Sequence, residues 1–327
     1  MRPHVTKSSL VIGFSLAVLA RPASAEDRCV LRGEATMAPA VGIFDAPTEG
    51  TELGHFTGVK TPLAVLSFAD GPTGRSLVET AGFRIKGYVR ARDIPAYTTR
   101  AVPLFGAHLS IGEGRRVVVI GSAPGRLRVE KTSTSPVSGV FQGWAPCEGV
   151  ALSQHEPPGW APPGGARGYL AKRPRLDLFD QPKGDIVVSV VRAADGPGIP
   201  FWGGDTSDGF VHVEHHGDFV IDAWVRVRDL LPLRPGETSD QLAPSPVPSI
   251  VPKRELQGRA KVVRTTAAVQ VRAAATEGAV AIGSIDAGVD VVVIDVVAGW
   301  ASVMPSTLAF APSGAAQFWV HARDLGV

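Results

Sequence analysis

The densest set of potential metal ligands is His212-x-Glu214-x-His216, with Asp218 just after it. Imidazoles and carboxylates at close range could hold zinc and activate a bound water. The spacing argues against that chemistry. On a strand, residues two apart share a face but lie about 6.6 Å apart, so His212 and His216 would be about 13 Å apart. Zinc ligands sit about 2 Å from the metal, so a straight strand cannot bring both imidazoles to one ion. The favoured reading is a solvent-facing strand edge with Val211 and Val213 turned inward. His212, Glu214 and His216 remain weak metal candidates; no cofactor is expected.

The two cysteines, Cys29 and Cys147, suggest one disulfide if the chain is exported. Neither has a neighbouring histidine in sequence, which weakens the rival reading of a catalytic thiol. Such a bond would close a long loop, which removes about 4–5 kcal/mol of unfolded-chain entropy if unstrained.

Three tryptophans are candidate ligand platforms: Trp160, Trp202 and Trp300. The first two lie among glycine and proline, where large rings are often partly exposed, and platform and packing readings stand about even there. For Trp300 packing is the favoured reading. The dipeptides Arg92-Asp93, Arg228-Asp229 and Arg323-Asp324 resemble catalytic pairs, but recurrence in several repeats points to a turn built the same way each time. The stretch VVVIGSAPG at 117–125 lacks the third spaced glycine of a nucleotide-binding turn. No Walker-type loop, H-E-x-x-H or G-x-S-x-G occurs. No catalytic residue is assigned, and the chain is expected not to be an enzyme.

These residues sit on a repeated scaffold. GYVRARDI at 87–94, GWAPCEGV at 143–150, AWVRVRDL at 223–230 and FWVHARDL at 318–325 end four similar segments. Gly 37 and Pro 27 among 327 residues leave little room for long helices. Alternation is clearest at Val269–Arg272, and Val289–Val297 is a near-continuous β run. LDLFDQP at 176–182 and IVVSVV at 186–191 repeat the plan, with a hairpin turn at Gly217-Asp218 joining FVHVEHH and FVIDAWV. VGIFDAP at 41–47 opens the first copy in the same way. The second copy is the most diverged, its first strand weakly marked near Ala107–Ile111.

Residues 1–25 read as an export signal: Arg2 and Lys7, then an apolar run from Leu10 to Ala20, then Ala23-Ser24-Ala25. Its removal leaves 30 basic and 31 acidic residues, a balance that lacks the basic footprint of a nucleic-acid binder. No transmembrane segment is expected in the mature chain, which is placed in the periplasm or outside the cell. The divisions are 26–97, 98–152, 168–233 and 258–327 for the four repeats. Pro-rich 153–167 and 234–257 are linkers.

VQVRAAATEGAVAIGSI at 269–285, VDVVVI at 289–294, GWASV at 299–303 and Trp319-Val320 resemble the bacterial Src-homology-3-like (SH3b-type) domain. Phe318 replaces that family's closing glycine. The other copies match in part, the second only at its end. The resemblance implies an all-β chain of three to four small barrels joined by Pro-rich linkers. It also implies a non-catalytic role holding peptidoglycan or another envelope component. Such domains often accompany a cell-wall peptidase or amidase, yet no catalytic domain remains here once repeats, signal and linkers are set aside. Two other readings stay open. One is a hydrolase or metal-dependent enzyme with a cleft between repeats; the other is a purely structural envelope component.

Overall fold

The computed structural model describes residues 28–133, 137–157, 159–191, 199–233, 261–313 and 317–327. The expected export signal and the Pro-rich stretch at 234–257 lie outside these residues. The chain is all-β, 57% strand, and has no helix of seven residues or more among the described residues. No described helix is long and apolar enough to cross a membrane.

The first repeat runs through β1 (Leu31–Thr36), β2 (Gly42–Phe44), β3 (Glu52–Phe56), β4 (Lys60–Ser67), β5 (Arg75–Thr80) and β6 (Phe83–Arg90). β1 pairs with β4, β4 with β5, and β5 with β6, all antiparallel. The β2–β3 hairpin folds back so that Phe44 faces Tyr88 of β6. The second repeat holds β7 (Ala96–Thr98), β8 (Val102–Phe105), β9 (Leu109–Ile111), β10 (Arg116–Ala123), β11 (Arg126–Ser133), β12 (Gly139–Pro146) and β13 (Val150–Ala151).

The third holds β14 (Arg167–Ala171), β15 (Arg175–Phe179), β16 (Ile186–Val191), β17 (Pro200–Ser207), β18 (Phe210–His216), β19 (Phe219–Arg226) and β20 (Leu230–Pro232). The fourth holds β21 (Lys261–Arg264), β22 (Val269–Arg272), β23 (Ala281–Ile285), β24 (Asp290–Val297), β25 (Trp300–Pro305), β26 (Phe310–Pro312) and β27 (Phe318–His321).

One backbone bond recurs in all four segments, the second included. The carbonyls of Gly74, Gly125, Gly209 and Gly299 accept from the N–H of Ala91, Cys147, Val227 and Ala322, at 2.9, 3.2, 3.0 and 2.9 Å. Each bond ties a hairpin turn to the 3-10 turn after the strand that ends in the aromatic motif. Thr98 and Thr265 mark another shared point. Thr98 Oγ1 donates to the carbonyl of Gly112 at 2.6 Å and accepts from Arg115 N–H at 3.0 Å. Thr265 Oγ1 donates to Asp286 O at 2.5 Å and accepts from Val289 N–H at 3.0 Å. β7, which pairs with β10 and β13, spans the boundary read from sequence, after residue 97.

The Arg-Asp dipeptides sit at the 3-10 turns Ala91–Asp93, Val227–Asp229 and Ala322–Leu325. Backbone bonds such as Ile94 N–H to Ala91 O close these turns, with no side-chain cap. The residue after each motif aromatic is the one that enters the core: Val89, Ala145, Val225 and Val320 are at most 1% exposed. The aromatic rings stand on the opposite face, Trp144 being 40% exposed.

The repeats do not stand apart as beads. β23 of the fourth pairs with β6 of the first, setting Ile285, Ser284 and Gly283 opposite Phe83, Arg84 and Ile85. β9 of the second pairs with β19 of the third in the same register: Ile111, Ser110 and Leu109 face Phe219, Val220 and Ile221. β26 adds a further strand to β3. Among the described residues, none of the three sheets closes on itself. Strand edges of the first, second and fourth repeats, which closed barrels would bury within each repeat, are here paired between repeats. The cysteines form the expected disulfide, Cys29–Cys147, with Cα atoms 5.3 Å apart, joining the first repeat to the second. One contiguous apolar core runs through all four repeats.

Candidate functional site

Trp160 and Trp202, distant in sequence, line one groove of about 1070 Å³ where the second and third repeats meet. Residues 154–157, Gly159 and Trp160 form its outer wall. This stretch, part of the Pro-rich linker read from sequence, lies against the protein surface. Ser153 Oγ donates to Glu34 O at 2.6 Å, and His155 Nε2 lies 3.1 Å from Glu113 Oε1. Gly114 permits the approach: its φ is +70°, and a side chain there would meet the carbonyl of His155 at 2.9 Å. Trp160 then stacks on His216, with ring centroids 4.2 Å apart and planes 11° from parallel.

The inner wall comes from β17 and β18, whose register puts Trp202 opposite Glu214. The alternation of β18 sends Val211 and Val213 inward, both 0% exposed, as expected from sequence. β18 lies between β17 and β19, however, so it is an interior strand and not an edge. His215 is half-buried, and its Nδ1 lies 2.9 Å from the carbonyl of Pro200. Burial pushes its pKa down, opposed in part by that hydrogen bond. His216 is also pushed down, first by burial, while Glu214 at 3.6 Å pulls the other way. Both imidazoles are therefore held toward the neutral form. On the floor, Arg115 reaches Asp218 at 3.6 Å, and its buried Nε has no hydrogen-bond partner among the described residues. Lys131 shares Asp218 at 2.9 Å.

The weak metal set is divided by this geometry. His212 pairs with Asp222 at 2.5 Å and packs its ring 5.1 Å from Trp224, while His216 goes to Glu214 and Trp160. Among the described residues no group of three histidines, cysteines or carboxylates could hold a metal. Trp300 does not join the groove. It is 7% exposed and stacks on His321 at 3.9 Å, and His321 in turn meets Glu277 at 3.0 Å. The same end of the other repeats carries a ring and a cation: Arg75 over Phe44 at 3.7 Å, Arg126 over Trp144 at 4.7 Å, and Arg226 over Phe179 at 4.7 Å. Around Phe179, Phe210 and Arg226 a second hollow of about 770 Å³ opens, bordered by the Lys183–Asp208 ion pair.

The residues around Trp160 and Trp202 supply indole faces, imidazoles, two carboxylates and a guanidinium, but no hydroxyl or thiol nucleophile among the described lining. That inventory suits stacking and hydrogen bonding. His155, Glu113, Arg115 and His215 were not singled out from sequence. The only hint was the doubled histidine at 215–216. Comparison with protein-family models, with curated proteins and with solved structures finds no match.

Proposed function

We propose that this chain is an exported, non-catalytic binding protein whose Src-homology-3-like repeats hold a cell-envelope ligand, peptidoglycan or an envelope protein. The observation that carries this reading is the convergence of Trp160 and Trp202 on one groove, with hydrogen-bonding groups between them. Flat rings bind the apolar faces of sugars or of peptide side chains, and the imidazoles and carboxylates fix orientation. The disulfide supports export, since such bonds persist in oxidising compartments.

Sedimentation with purified cell-wall sacculi and capture of detergent-solubilised envelope proteins test the reading together. The wild-type protein binds one of the two, and Trp160→Ala and Trp202→Ala each weaken that binding by about tenfold. Retention no better than that of an unrelated β protein, or variants that bind as the wild type does, would rule it out.

A further inference from the structure

Each repeat contains a hairpin whose second strand presents one outer edge: β3, β9, β16 and β23. Matching bulges align them, because β2–β3, β15–β16 and β22–β23 all shift register at the same place, beside Phe44, Phe179 and Arg272. Phe56, Ile111, Val190 and Ile285 then occupy one equivalent position, each at most 1% exposed.

Three of the four edges are covered, and in one register. Phe310 lies opposite Phe56, Phe219 opposite Ile111, and Phe83 opposite Ile285. Two residues on come Pro312, Ile221 and Ile85, opposite Gly54, Leu109 and Gly283. Every covering strand is antiparallel and reads Phe-x-Pro or Phe-x-Ile. Its phenylalanine is buried, at 2%, 0% and 5% exposure.

The fourth edge, β16, pairs only with β15 among the described residues. Its sequence, IVVSVV, is all β-branched apart from one serine, and Ile186 and Val191 are 52% and 41% exposed. Uncharged, proline-free edges of this kind are templates for strand pairing. We propose that the outer edge of β16 is a strand-addition site for an extended segment of another protein that carries Phe-x-Pro or Phe-x-Ile. Its phenylalanine sits opposite Val190 and extends the core of the third repeat. The occupant is assigned from this chain's own three solutions to the same edge. Main-chain bonds supply the affinity and the phenylalanine the register.

The test uses the full-length protein and a fluorescent peptide, Gly-Asp-Phe-Val-Ile-Asp-Ala, a copy of residues 217–223. Binding saturates, shifts the amide resonances of residues 186–191, and weakens about tenfold when the peptide phenylalanine becomes alanine. Two N-methylated peptides, blocked at alternate amides, add a readout independent of any protein variant. One loses binding and the other keeps it, since only every second N–H of a strand faces a given edge. The exposed changes Ile186→Lys and Val191→Lys together abolish binding without lowering the melting temperature. Equal loss from both methylated peptides, unchanged binding by the double variant, no binding at all, or self-association of the chain through residues 186–191 would each overturn the proposal.

Discussion

Gly283 shows how much a single missing methyl group can decide. A Cβ there would sit 2.0 Å from the carbonyl oxygen of Arg84, inside the seam between β23 and β6. Gly283→Ala therefore pushes the two repeats apart and is expected to cost about 1–3 kcal/mol, read as a lower denaturation midpoint. At the matching place in the other seam stands Leu109, so the close approach is particular to the first and fourth repeats. His215 makes an acid-sensitive contribution. Its folded pKa lies below the ordinary histidine value of 6.5, so the unfolded chain takes up protons first as pH falls. The stability it contributes is complete above that value and is lost progressively below it. Urea unfolding at pH 7.5 and pH 5 should show the decline, and His215→Gln should make it shallower.

At the level of elements, the paired threonines give a direct comparison between repeats. Thr98→Val and Thr265→Val each remove a hydroxyl that both donates and accepts across a strand turn. Each should lose about 1–2 kcal/mol in thermal or urea melts. A large difference between the two would mean that the copies carry unequal loads.

Strands with strong alternation were legible from sequence. β22 runs over the residues expected, and β18 and β19 meet across Gly217-Asp218 as read. The strands that escaped notice are those with little alternation of their own. β3 reads Glu-Leu-Gly-His-Phe and β26 only Phe-Ala-Pro; both are strands because a neighbour pairs with them. Cross-repeat seams were illegible for the same reason, since a sheet edge gives no sign of which distant edge it meets. The groove was half legible: its tryptophans stood out by composition, but their convergence depends on how residues 154–157 and Trp160 lie against the second and third repeats.

Across the whole molecule, the order in space differs from the order in sequence. The second repeat is joined to the first by Cys29–Cys147 and to the third through β9, whereas the fourth returns to the first. Replacing both cysteines by serine removes a constraint across 118 residues of chain separation, yet leaves the three cross-repeat strand pairings in place. The expected result is a protein that still folds but melts earlier, by up to about 4–5 kcal/mol of lost stability.

The return of the fourth repeat to the first also sets the timing of assembly. Phe83–Ile85 and β3 emerge from the ribosome long before the strands that complete them, so a growing chain carries two bare edges until its last segment arrives. Non-local pairing of this kind is slow and leaves intermediates prone to clump. A chain ending at residue 260 should scatter light on standing, and supplying residues 261–327 as a separate polypeptide should clear it.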